Sequence, residues 1–146
     1  MLVVLDTNVV LDLLVFRDGA SGGLRDALAS GHVQWIATAP MRGELARVLD
    51  YPQVRRQLAA RGGEAADVLR AFDAAAVLQP VPPSAPVQCA DADDQGFVDL
   101  ALVHGALLLS RDREVLRLRT RLAARGIAVA PSLPQECLQP QPVEAA

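Results

Sequence analysis

The sequence predicts an α/β fold of three layers (α/β/α), with a central, mostly parallel sheet of four to five strands. Two observations predict it. Short apolar runs without period-2 alternation, such as Leu2-Val-Val-Leu5 and Ala106-Leu-Leu-Leu109, read as strands buried on both faces, as parallel strands are. These runs alternate with segments of helical periodicity, which sets helices on both sides of one sheet. The length of 146 residues suits one domain. That domain is expected over residues 1–138, with residues 139–146 as a disordered tail.

The first strand, Leu2 to Leu5, stops at Asp6. A carboxylate ending a buried parallel strand lies at the carboxyl edge of the sheet, where open α/β folds keep their ligands. Asp6 also suits the N-cap of a short helix expected over Val9 to Val15. Phe16 to Gly22 reads as a loop by its turn chemistry. A helix over Leu24 to Ala29 is closed by Gly31, and Val33 to Ala37 is the second strand. Thr38 can cap the next helix, with Pro40 in its first turn. That helix runs to about Asp50, where Tyr51-Pro52 breaks it. Helical stretches near Val54 to Arg61 and Glu64 to Leu78 flank Gly62-Gly63. Pro80 to Pro86 is a stiff, extended connector rather than a domain boundary, since neither side carries enough strands to close a core. Asp91-Ala-Asp-Asp94 opens a helix that ends near Gly105, and Ala106 to Leu109 is the third strand. A helix over Arg113 to Ala124, stopped by Gly126, leads to the fourth strand, Ile127 to Ala130.

Composition removes several classes of chemistry. All 14 basic residues are Arg, so a phosphate-binding P-loop and a Schiff base are excluded for want of lysine. The net charge of −3 argues against a protein that binds nucleic acid by overall charge. Cys89 and Cys137 show no pairing pattern, and His32 and His104 lie far apart, so no zinc spacing exists. With five aromatic residues, Leu, Val and Ala must fill the core, and Trp35 is expected within it. The amino terminus lacks a basic leader and no apolar run is long enough to span a membrane, so a cytoplasmic protein with reduced thiols is expected.

Carboxylates recur where an apolar face is expected. Glu44 lies three after Met41 and four before Val48, on the stripe they form with Leu45 and Leu49. Asp94 continues the face of Phe97, Val98 and Ala101 toward the start of its helix. Asp112 leaves the end of the third strand as Asp6 leaves the first. Each has an ordinary explanation as a cap, a dipole partner or an ion pair with Arg42 or Arg47. Together they describe four carboxylates converging on one cleft, which repel unless a cation joins them. Oxygen donors without His or Cys favour Mg²⁺ or Mn²⁺, and such an ion can activate water for attack on a phosphate.

The chain resembles the PIN-domain proteins, and among them the toxin components of toxin–antitoxin systems related to the VapC toxins. The resemblance is carried by Val4-Leu-Asp-Thr-Asn8, by Glu44-Leu45 with Val48-Leu49, by Cys89 through Asp94 with Phe97 and Leu100-Ala101, and by Leu108-Leu-Ser-Arg-Asp112. It implies a metal-dependent endoribonuclease acting on single-stranded RNA, with Asp6, Glu44, Asp94 and Asp112 as catalytic acids. Asp6, Asp94 and Asp112 would hold Mg²⁺ or Mn²⁺, and Glu44 would orient or deprotonate the attacking water. Asn8 and Ser110 match positions that order the site. The chain departs from the family at Arg111, where Gly is common, and at Glu114, where a further Asp is common. Arg111 adds bulk and charge beside the site, where it would contact phosphate or hinder activity; Arg113 is a second candidate for phosphate. The resemblance also implies a homodimer and a small antitoxin partner, for which the stripes between Val54 and Leu78 are a candidate surface if they do not pack internally.

Arg113, Arg117, Arg121 and Arg125 recur every four residues and would either follow an RNA backbone or form a solvated face. Arg17, Arg25 and Arg42 lie in segments expected nearer the cleft and are alternatives. Two rival classes remain. A phosphatase of the haloacid dehalogenase type needs a second Asp two residues after the first and a lysine; here Asn8 stands at that position and lysine is absent. A catalytically silent PIN-fold binding module, acting through a protein partner, is kept in play by Arg111.

Overall fold

The computed structural model describes residues 1–17, 19–90 and 92–134. Asp91, Cys137 and the expected tail over 139–146 lie outside them. Five strands form one sheet: β1 (Leu2–Leu5), β2 (Gln34–Ala37), β3 (Ala76–Leu78), β4 (Leu107–Leu109) and β5 (Val129–Ala130). Their order is β3-β2-β1-β4-β5, and every neighbouring pair is parallel.

Successive side chains of each strand point to opposite faces, and both faces are buried. Val3, Leu5, Trp35, Ala37, Leu107 and Leu109 join one core cluster, and Val4, Ile36, Leu108 and Val129 join the other. The first face is covered by α1 (Thr7–Leu11), α2 (Gly22–Ala29), α3 (Ala39–Leu49), α4 (Pro52–Ala60) and α5 (Ala65–Ala75). The second is covered by α6 (Gln95–His104), α7 (Arg113–Leu116) and α8 (Arg119–Ala123). The three-layer α/β/α architecture read from the sequence is therefore the observed one. Trp35 is buried, and its ring meets Phe72 of α5 edge to face, with centroids 4.9 Å apart. Burying a large apolar side chain of this kind contributes about 1.5–3 kcal/mol.

The differences from expectation are local. Ala76-Val-Leu78 reads as the end of a helix but forms the edge strand β3, paired along β2 and extended by a 2.7 Å bond from Gln79 N to Ala37 O. The helix expected over Arg113 to Ala124 is two short helices, because the chain tightens at Arg117-Leu118, where Leu118 N bonds Val115 O and the Leu118 side chain turns into the core. After α1 the chain widens into a π turn over Asp12–Phe16, ended by Arg17 at φ 49°. The Phe16 to Gly22 loop contains a 3₁₀ turn, Gly19–Ser21. Thr38 precedes α3 in an extended conformation but makes no side-chain cap bond. The apolar stripes of α4 and α5 are consumed internally, since Val54, Leu58, Val68 and Phe72 are all buried.

Candidate active site

The sheet order fixes where a site can form. From β1 the chain moves outward to β2 and β3, then returns across β1 to β4 on its other side and on to β5. The order therefore reverses between β1 and β4, and the crevice above their carboxyl ends is the place where open α/β sheets bind ligands. Asp6 follows β1, and Ser110 to Asp112 follows β4. Leu5 pairs with Leu109, and Asp6 N donates to Leu109 O at 3.1 Å, so the two strand ends are fixed side by side.

A serine joins the two carboxylate positions. The Ser110 hydroxyl donates to Asp6 Oδ2 and accepts from Asp112 N at 3.1 Å. Asp6 Oδ1 accepts from Val9 N at 2.9 Å, capping α1, and Asp112 Oδ1 accepts from Glu114 N at 2.8 Å, capping α7. The ordinary reading of both acids as caps is thus correct, and the caps also orient the carboxylates. Burial distinguishes them from ordinary caps: Asp6 is 3% exposed and Ser110 0%. Burial pushes the Asp6 carboxyl above the usual range; the bonds from Ser110 and Val9 oppose this, the charge of Asp112 adds to it, and that of Arg111 eases it.

Glu44 is half-buried on the inner side of α3. Its carboxyl is also raised, first by burial; a bond from the Thr7 hydroxyl opposes the shift, as does Arg47, and the charges of Asp93 and Asp6 add to it. Glu44 therefore lies within electrostatic reach of Asp6. Asp94 ends a 3₁₀ turn, Ala92–Asp94, directly before α6, and its Oδ2 is buried. The acid of that turn that raises Glu44 is Asp93. Asn8 is exposed in the first turn of α1.

The arginines divide by position. Arg111 forms an ion pair with Asp12, close enough to Asp6 to lower its pKa. Arg113 is exposed at the start of α7, and Arg117 pairs with Glu114 at 2.9 Å. The break after Leu116 keeps Arg113, Arg117, Arg121 and Arg125 from forming one straight helical stripe. Arg42 is bound twice by Asp73 of α5, at 2.7 and 2.9 Å. Arg17 and Arg25 line a groove of about 940 Å³ with Met1 and Gln34, at the amino ends of β1 and β2. They are on the far edge of the sheet from Asp6, not near it as expected.

Two further polar residues hold the chain beside the site, and one of them, Asp99, lines the same cleft as Glu44. Asp99 is buried on α6 and accepts from Ala85 N and Gln95 Nε2, both at 2.8 Å. Gln95 also accepts from Cys89 N at 2.6 Å and donates to Val87 O at 2.9 Å. These bonds fasten the connector before the acidic turn to α6. The signal was present in Phe97-Val-Asp-Leu-Ala101, where an acid interrupts an apolar run.

Among the described residues, no three His, Cys, Asp or Glu side chains stand close enough as placed to hold a metal ion. The chemistry of the donor set nevertheless fits a divalent cation. The donors are carboxylate oxygens, and mutual repulsion helps raise both Asp6 and Glu44, a cost that a cation would relieve.

The raised carboxyls set a pH dependence. Asp6 and Glu44 bind protons more readily folded than unfolded, so their contribution is full below the ordinary carboxylate range and is lost as pH rises through the raised values. In EDTA, the stability of Asp6→Asn relative to the native protein should therefore rise as pH climbs above the ordinary carboxylate range. Urea titrations at several pH values measure this; a difference that does not change with pH would show that Asp6 is not raised.

The family model described as PIN domain matches residues 2–114 of the chain, a span that contains Asp6, Glu44, Asp94 and Asp112. Among curated proteins there is no significant match. Among the described residues no helix is long and apolar enough to cross a membrane. With most of its length matched, and with the parallel sheet and its switch point in place, the chain belongs to the PIN-domain family, a nuclease-type fold.

Proposed function

We propose that this protein is a metal-dependent endoribonuclease that hydrolyses phosphodiester bonds of single-stranded RNA. One observation carries the reading. Asp6 is nearly sealed from water at the sheet's switch point, tied through Ser110 to the loop of Asp112, and within the electrostatic reach of Glu44. Capping a helix needs none of this, because an exposed Asp caps equally well.

Asp6, Asp94 and Asp112 would hold Mg²⁺ or Mn²⁺, which would supply charge stabilisation at the scissile phosphate and make water a better nucleophile there. Ser110 keeps Asp6 and the Asp112 loop in register. Glu44 accepts the proton of the attacking water, and its raised carboxyl brings it nearer the pH at which a general base works best. Attack of the water oxygen at phosphorus forms one P–O bond and breaks that to the 3′ oxygen, which takes a proton from solvent, leaving a 5′-phosphate and a 3′-hydroxyl. Arg111 and Arg113 flank Asp112 and offer cations to the phosphates on either side. A labelled single-stranded RNA should be cut with Mg²⁺ or Mn²⁺ and not with EDTA. Asp6→Asn and Asp112→Asn should each lose at least ~100-fold in rate, since a metal contributes several kcal/mol at a tenfold per 1.36. Undiminished cutting by Asp6→Asn would remove the assignment.

Within this reading the protein is the toxin of a toxin–antitoxin pair, a cytoplasmic homodimer neutralised by a small protein. The support is the motif resemblance. Expression in a bacterium should arrest growth, and Asp6→Asn should relieve the arrest. Normal growth with the native protein expressed and folded would contradict the toxin role without touching the nuclease.

A second reading is favoured by the spread of the carboxylates as placed and by the Arg111–Asp12 pair beside them: a silent PIN-fold module that works through a protein partner. Calorimetry separates the two. The nuclease takes up Mn²⁺ with a heat that Asp112→Asn removes, whereas a silent module gives no such heat.

A further inference from the structure

The chain has five aromatic residues, all within the described residues. Trp35, Phe72 and Phe97 are buried and Phe16 is half-buried, but Tyr51 is 57% exposed. It sits at the junction of α3 and α4, in an extended conformation that Pro52 enforces. Its backbone is held on both sides: Tyr51 N donates to Val48 O at 3.0 Å, and Tyr51 O accepts from Arg55 N at 2.9 Å. The ring is therefore presented from a fixed point.

That ring lines a cleft of about 510 Å³ together with Glu44, Arg47, Val81, Pro82 and Asp93. The volume is that of a small-molecule site. Arg47 is exposed one turn before Tyr51, while Val81, 65% exposed, and Pro82 give an apolar wall from the connector after β3. One cleft thus holds an aromatic face, a cation, an apolar wall and three carboxylates, of Asp93, Asp99 and the proposed general base Glu44. A peptide would be served by the ring and wall alone; the cation beside the proposed phosphate-cleaving acids favours a nucleotide chain.

We infer that Tyr51 is the stacking platform for an unpaired RNA base, with Arg47 on the adjoining phosphate, and that this subsite places the strand against Glu44. The inference rests on the endoribonuclease reading and deepens it. Stacking tolerates every base, because each has a π face, so this subsite sets strand form and not sequence. A base inside a duplex is already stacked and cannot enter. Selection for single strands follows from Tyr51.

Fluorescence anisotropy tests this with a fluorescein-labelled single-stranded RNA and its duplex, in Ca²⁺, with gels confirming that the RNA stays intact. Tyr51→Ala should weaken single-strand binding roughly tenfold, the scale of one base–aromatic stack, and leave duplex binding unchanged. Tyr51→Phe should bind as the native protein does, since the ring and not the hydroxyl is used. Arg47→Ala should lower the salt dependence of binding. Thermal melting should be the same for all three variants and the native chain, given their exposure. Native-like single-strand binding by Tyr51→Ala, or a loss shared equally by Tyr51→Phe, overturns the subsite. If the native protein still cuts RNA in that case, the nuclease reading stands alone. A native protein that neither binds nor cuts RNA overturns both and assigns the cleft to another class of partner.

Discussion

The structure depends on one hydroxyl. Ser110 lies between the carboxylate of Asp6 and the backbone of Asp112, joining the ends of two adjacent strands that are far apart in the chain. Parallel pairing of β1 and β4 sets the register that makes this possible. Without that pairing, Asp6 and Asp112 would each be an ordinary helix cap. With it, two caps become a pair of like charges at one point on the sheet edge, one of them nearly sealed from water.

Holding acids this way costs stability, and the local chemistry shows how the cost is met. The bonds from Ser110 and Val9 favour the charged form of Asp6, yet burial outweighs them. Thr7 plays the same part for Glu44, and again burial wins. Arg111 offsets part of the negative charge but is itself drawn to Asp12, so its charge is shared. Sites that carry unrelieved repulsion are commonly functional sites, because a ligand can supply what the fold leaves out. A divalent cation is the ligand whose chemistry suits carboxylate oxygens alone.

Much of this was legible in the sequence. β1 and β4 are apolar throughout because both faces of a parallel sheet are covered, and their ends are marked by Asp6 and Ser110. Glu44 was visible because it stands on the apolar stripe of α3. The parts that were hidden have physical reasons. β3 is three residues long and alanine-rich before it, so its identity comes from pairing with β2 and not from its own pattern. The break between α7 and α8 is a tightening at the bond from Leu118 N to Val115 O, and it leaves Val115, Leu118 and Leu122 buried at ordinary helical spacing, so the sequence period does not announce it. The Arg111–Asp12 pair joins segments distant in the chain, and arginine shows no preference in sequence for one acid over another. Asp99 could have been found by the reasoning that found Glu44, since it too interrupts an apolar run.

The proposed nuclease requires that acids from the ends of β1 and β4, from α3 and from the turn before α6 gather around one cation. Anomalous diffraction from crystals soaked in Mn²⁺ tests it most directly. The account predicts a single strong peak at coordination distance, roughly 2.0–2.6 Å, from oxygens of both Asp6 and Asp112. Ordered crystals with no peak there, or with Mn²⁺ bound only at other carboxylates, would contradict it.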